Sequence, residues 1–160
     1  MAFYLESPTA ESAAQIAIIW EAGWHEAHAA IVPQALTALR TVSSFQARTI
    51  EHLAHTCVAK IGSEVVGFCM VKDAEVYQMY VSQASRGTGA ARALLEDAER
   101  RIRVAEHVTA WLACAVGNQR AAAFYEKCGW HNVGNETMEL DTSQGGFPLE
   151  LWRFEKKLTD

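Results

Sequence analysis

The sequence predicts one mixed α/β domain (α+β in its make-up) over residues 1–160, on three observations. A short run rich in aromatic and β-branched residues, Glu75-Val76-Tyr77-Gln78-Met79-Tyr80-Val81, leads through the turn Arg86-Gly87-Thr88-Gly89-Ala90-Ala91 into a segment of helical periodicity. That helix is followed by another strand-like run, which makes a crossover of the kind that yields parallel neighbours. Finally, 160 residues of which 50% are hydrophobic suffice to bury one core, and no repeat, low-complexity tract or linker divides them.

Taken in order, residues 2–6 read as a strand. Ser7-Pro8-Thr9 opens a helix with Thr9 as its cap and apolar positions at 13, 16, 17 and 20. Pro33 breaks that region, and a second helical stretch fills 43–53. Residues 58–61 and 65–71 read as strands joined at Gly62-Ser63, and 75–81 continues the antiparallel meander. Apolar residues at 90, 91, 94, 95, 98 and 102 give 89–104 a helical face, with Arg92, Glu96, Asp97 and Glu99 among the residues opposite. Residues 108–116 read as a strand and 118–128 as a helix. A closing hairpin of 131–140 and 148–158 carries Gly145-Gly146 in its loop.

Taken alone, the glycine turn reads either as a plain structural turn or as a phosphate cradle. With almost no side chains between a strand and a helix, consecutive backbone N–H groups can converge on a phosphate at the positive end of the helix. A P-loop is excluded because no Gly-Lys-Ser/Thr closes the turn. A dinucleotide fingerprint is excluded because Arg92 stands where its third glycine belongs.

A second stretch narrows the reading: Asn118 to Trp130 reads NQRAAAFYEKCGW. The pair of motifs, Arg-x-x-Gly-x-Ala at 86–91 and Asn-x-x-Ala-x-x-Phe-Tyr-Glu-Lys-x-Gly-Trp from Asn118, closely resembles the GNAT superfamily of acyl-CoA-dependent N-acyltransferases. The resemblance covers residues 55–135 well and the flanks in pattern alone. It implies a twisted mixed sheet of about seven strands flanked by helices, in which the parallel pair 75–81 and 108–116 splays to admit acetyl-CoA as co-substrate. It further implies that Arg86, Gly87, Thr88, Gly89, Ala90 and Ala91 hold the CoA pyrophosphate through their amides. Met79 and Val81 would pair with the pantetheine arm as a strand would, and Asn118 would help fix the strand ends and that arm. Tyr125 resembles the residue that gives a proton to the departing thiolate.

Departures from the family pattern are Gln83 where proline is common, Thr88 where Lys or Arg often stands, and Ala91 for the second glycine. Thr88 removes a side-chain cation from the cradle and leaves the amides and the helix dipole. Trp130, for the usual Phe, is expected to alter packing alone.

Transfer to an amine needs a base, because a free alkyl amine is protonated below a pKa of about 10. Glu75 is the candidate, six residues before Val81, where some members of the superfamily carry it; a solvated turn residue after Lys72-Asp73 is the competing reading. Other members place a glutamate on the next strand, where this chain has Ala113. Strict alternation puts Glu75, Tyr77, Met79 and Val81 on one face unless a bulge shifts them.

The acceptor pocket is expected from the first helical region and the final hairpin. Trp20, Trp24 and His28 share a helix face, either as core aromatics with a capping histidine or as the wall of an amine pocket. Trp24, Glu26, His28 and Tyr77 are the candidate acceptor residues, Glu21 or Glu26 binding the amine's charge. Glu139, Glu150 and Trp152 are candidates on the hairpin.

Other classes fit less well. A net charge of −5, with no basic cluster beyond Arg100-Arg101-Ile102-Arg103, argues against a nucleic-acid partner. No apolar run approaches bilayer length, and the N-terminus lacks a signal-peptide pattern. Cys57, Cys69, Cys114 and Cys128 lack metal or disulfide spacing, and His52, His55, His107 and His131 form no cluster, so no metal is expected. The expectation is a cytoplasmic N-acetyltransferase acting on a primary amine of a small molecule. Monomer and homodimer both stay open, dimers being common in the superfamily. The competing functions are a protein N-terminal or lysine acetyltransferase and a non-catalytic acyl-CoA-binding module.

Overall fold

The structure, a computed structural model, describes residues 2–158. Its elements run β1 (Tyr4–Glu6), α1 (Ser12–His28), α2 (Gln34–Leu39), α3 (Val42–His52), β2 (Thr56–Ile61), β3 (Glu64–Lys72), β4 (Glu75–Val81), α4 (Ala90–Val104), β5 (Thr109–Ala115), α5 (Gln119–Lys127), β6 (His131–Thr142) and β7 (Gly145–Lys157). The strands form one seven-stranded sheet in the order β1-β2-β3-β4-β5-β7-β6. All neighbours are antiparallel except β4 and β5.

Each face of the sheet is covered by helices, so both sides carry an apolar core. On one face Leu94, Leu95, Ala98 and Ile102 of α4 pack with Cys69, Leu112, Trp130 and Phe154. On the other, Ile16, Trp20 and Trp24 of α1, with Leu36 and Phe45, pack on Val58, Phe68 and Met70.

Three sequence expectations shift. The first helix starts at Ser12, because the Thr9 N–H donates to Ser12 Oγ at 3.1 Å and its carbonyl accepts the Ser12 N–H at 3.0 Å; Thr9 closes a preceding turn instead of capping. Pro33 ends the α1 region as expected but also stands at the N-cap of α2, a helix the sequence reading missed. Gly145-Gly146 belong to β7 and not to a loop. Thr142 Oγ1 donates to the Gly145 carbonyl at 2.6 Å and accepts the Gln144 N–H at 3.1 Å, which closes the hairpin at Ser143-Gln144.

Two irregularities position the site. Between β4 and β5, Glu75 and Trp111 are the one registered pair among the described residues, tied by the Trp111 N–H to the Ala74 carbonyl at 3.1 Å. Beyond it β4 stays on β3 and β5 stays on β7, so the two parallel strands diverge. The other irregularity is a bulge in β4: Gln78 faces Met70 and Val76 faces Val71, leaving Tyr77 as the extra residue. The bulge breaks the simple alternation. Val76, Met79 and Val81 join the α4 core, while Tyr77 and Tyr80 turn to the α1 face.

Candidate active site

The divergence of β4 from β5 opens a cleft of about 730 Å³ that runs from the 86–91 turn to the α1–α3 side of the sheet. At its outer end the turn is shaped by Gly87 at φ +81° and Gly89 at φ +90°, values that favour glycine. Gly89 is the N-cap of α4. The Arg86 amide is used by the Gln83 carbonyl at 3.3 Å, and the Ala90 amide reaches Thr88 Oγ1 at 3.3 Å. The N–H groups of Gly87, Thr88, Gly89 and Ala91 have no acceptor among the described residues, and with the helix dipole they make a donor set suited to a phosphate. Thr88 Oγ1 donates inward to the Ser85 carbonyl at 2.7 Å, so its side chain adds nothing to that set. Arg92, which sequence reasoning passed over, lines the cleft beside the turn.

Along β4, the Ser82 N–H donates to the Val66 carbonyl at 2.8 Å. Alternation then directs the main-chain groups of Tyr80 to β3 and those of Val81 and Met79 into the gap. Asn118 caps α5, its side-chain oxygen accepting from the Ala121 N–H at 3.4 Å, and it also borders the cleft. Tyr125 of α5 packs edge-on against Phe124 and Trp130 and reaches the cleft from the α4 side. Its hydroxyl makes no hydrogen bond among the described residues, and burial pushes the phenol well above its usual 10. It is therefore a neutral O–H donor at physiological pH.

Glu75 sits at the vertex of the splay and lines the cleft. Burial raises its carboxyl from 4.5 to about 7, outweighing the opposing charges of Lys72 and Arg153. A carboxylate poised near neutrality is suited to accept a proton.

On the α1–α3 side the structure sorts the expected acceptor residues. Trp24 is a core residue, 7% exposed, that also lines the cleft. His28 donates from Nδ1 to the Trp24 carbonyl at 2.9 Å and is held neutral by burial, which lowers its pKa. Tyr77 lines the cleft and packs against His52, the ring centroids 4.8 Å apart and the planes tilted by 49°. Glu26 does not line this cleft: it pairs with Arg86 at 2.9 Å and Arg120 at 3.0 Å, and hydrogen bonds from those arginines, Arg86 first, lower its pKa. The reason is helical geometry, since Glu26 lies two residues from Trp24 and so faces away from it, toward the 86–91 turn. Of the hairpin candidates, Glu139 borders the cleft, whereas Glu150 accepts from Asn135 Nδ2 at 2.7 Å on the exposed surface. Trp152 does not line the cleft.

Sequence reasoning missed Arg40 and Arg48, which are buried and line the cleft. The signal was available: Arg48 follows Phe45 by three residues and so falls on the buried face of α3. Trp130 also does more than pack. Its indole N–H donates to Glu99 Oε2 at 3.2 Å, and Glu99 pairs with Lys156 at 2.9 Å, tying α4, the turn after α5 and β7 together.

The buried thiols of Cys57, Cys69 and Cys114 are pushed up to about 11, 12 and 12 by desolvation, which leaves them unreactive.

Residues 18–130 match the family model described as the acetyltransferase (GNAT) family. Over 120 residues the chain is 28% identical to an uncharacterized N-acetyltransferase of Mycobacterium tuberculosis, covering 69% of this chain and 77% of that protein. Among solved structures, a GCN5-related N-acetyltransferase from Rhodopseudomonas palustris superposes with a TM-score of 0.76 at 21% identity, over 99% of this chain and 97% of that one. YncA from Salmonella typhimurium, solved with its cofactor acetyl-CoA, superposes with a TM-score of 0.73 at 15% identity, over 100% of this chain and 96% of that one. With the family model spanning most of the chain and the splayed β4–β5 pair at its centre, the protein belongs to the GNAT acetyltransferase family.

Proposed function

We propose that this chain transfers the acetyl group of acetyl-CoA directly to a primary amine of a small molecule. The observation that carries the reading is one continuous cleft with free main-chain donors at its mouth, an unpartnered Tyr125 hydroxyl along its length and Glu75 at its vertex. The amides of Gly87, Thr88, Gly89 and Ala91 hold the pyrophosphate, and the main-chain groups of Met79 and Val81 pair with the pantetheine arm. Acetyl-CoA supplies the thioester. Glu75 takes the proton the amine must lose, and Tyr125 gives a proton to the sulfur as the C–N bond forms and the C–S bond breaks. Exchange with water then resets both groups.

A small acceptor is favoured over a protein chain because Leu140 and Met138 of β6 and Leu149 of β7 border the acceptor end with apolar side chains. The same reading puts the chain in the cytoplasm, in keeping with its four free cysteines. The test is a thiol-release assay with acetyl-CoA across amino acids, polyamines, aminoglycosides and simple amines. Acceptor-dependent release with at least one class is expected. Release from peptides alone would refute the small-molecule reading.

A further inference from the structure

The acceptor end of the cleft holds two buried cations, Arg40 and Arg48. Arg40 and Arg48 are 4% and 9% exposed, yet neither forms an ion pair among the described residues. Arg40 Nη1 donates to the Asp141 carbonyl at 2.7 Å, and Arg48 Nη2 donates to the Tyr77 hydroxyl at 3.3 Å. The remaining support is aromatic: the Arg48 guanidinium carbon lies 4.3 Å from the Trp20 ring centroid, and that of Arg40 lies 5.9 Å from Trp24. Arg40 Nε, Arg48 Nε and Arg48 Nη1 are buried with no acceptor.

Buried charges are ordinarily paired, because an unpaired one forfeits its hydration with no return. Here the two cations also oppose each other. Burial first, then the neighbouring Arg48, depresses the Arg40 pKa to about 10. Both side chains line the cleft, and the planar donor fork of a guanidinium suits a carboxylate. The same cleft is lined by Glu75, Glu139 and Asp141, which suit an ammonium group, and by Lys72 among other cations.

We infer that the acceptor is a small amine carrying a carboxylate, of the α-amino-acid class, whose anionic end is bound by Arg40 and Arg48 while its nitrogen faces Glu75. This rests on the acetyl-transfer reading and adds the substrate class to it. The carboxylate supplies the charge the guanidinium pair lacks, and the residue beyond it lies among Leu36, Leu140 and Leu149.

The experiment compares an L-amino-acid panel with the matching carboxamides and decarboxylated amines. For the best acceptor, kcat/KM for the acid should exceed that for its amide by about 100-fold or more, as expected where buried donors are left unpaired. Arg48→Met should erase that preference by raising KM for the acid, with acetyl-CoA affinity unchanged. Arg48→Lys should restore part of it. A merely structural arginine would lower acid and amide equally.

Calorimetry on the wild-type, CoA-saturated protein supplies a readout free of turnover and of variant folding. The N-acetyl-amino acid should bind and its amide should not. Equal affinity for both, or none for either, overturns the assignment. Faster acetylation of amides, simple amines or peptides than of acids also overturns it while leaving acetyl transfer intact. Failure to bind acetyl-CoA would instead remove the underlying reading.

Discussion

At the mouth of the cleft the groups free to bind a ligand are main-chain N–H donors on a glycine turn, whereas the far end is lined by side chains from β4, the α2–α3 segment and the closing hairpin. On the proposed reading, the difference explains what each end would recognise. A main-chain cradle depends on backbone shape, needs few particular residues and suits a ligand common to a whole family. A side-chain chamber depends on identity at scattered positions, so it is free to diverge from one member to the next. The two ends meet in one cleft, which Tyr125 lines from the α4 side and Glu75 lines at the vertex of the splay.

Substitutions at the meeting point should have the largest effect. Tyr125→Phe removes a hydroxyl that has no partner within the described protein, so kcat should fall about 100-fold while stability and acetyl-CoA affinity hold. Single-turnover kinetics beside calorimetry would check this, and an unchanged kcat would strip Tyr125 of its role.

Glu75→Gln should cost kcat a similar factor and abolish the rise of kcat/KM with pH that an ionising carboxyl near 7 produces. It has a second signature in stability. The native carboxyl, raised from 4.5 to about 7, keeps its proton longer than the unfolded one, so its ionisation opposes folding progressively as pH rises through that window. The glutamine variant should therefore gain on the order of 2 kcal/mol over wild type at pH 8 and nothing at pH 4. Thermal melts at the two pH values would decide it; a parallel shift at both would contradict the burial argument.

Gly89→Val tests the cradle alone. Forcing a β-branched residue to φ +90° costs roughly 1–2 kcal/mol or reshapes the turn, so acetyl-CoA affinity should drop about tenfold. Acceptor preference should persist at saturating acetyl-CoA, and full affinity in the variant would show that the turn is not the cradle.

Trp130→Phe should leave kinetics unchanged and lower stability by ~1–2 kcal/mol, because the bond to Glu99 is lost while Lys156 keeps that carboxylate paired. The smallest effect belongs to Glu26→Gln. Freed of their pairing, Arg86 and Arg120 should tighten acetyl-CoA binding a few-fold and leave the acceptor KM unmoved. An altered acceptor KM would return Glu26 to the acceptor end.

Much of the cofactor end was legible in the chain because its signals are local. The strand of Glu75–Val81, the turn and the helix after it follow one another, and Gly87 and Gly89 mark the bends. The acceptor end was half legible. Trp24, His28 and Tyr77 reach the cleft, but Glu26 shares their segment and faces elsewhere, since adjacent helical residues diverge in direction. The bulge at Tyr77 left no mark in the sequence pattern, yet it reassigned Met79 and Val81 to the opposite face from Tyr77.

By itself the sequence determined the mixed α/β class, the order of the strands and of every helix but α2, and the motif pair that marks the family, all set by short-range periodicity and glycine geometry. Only the tertiary structure decided that Arg40 and Arg48 share a chamber with Glu75, that Glu26 serves the other end, and that Glu75 is buried enough to titrate near 7. Those properties depend on desolvation and on distances between segments far apart in the chain, which local periodicity does not encode.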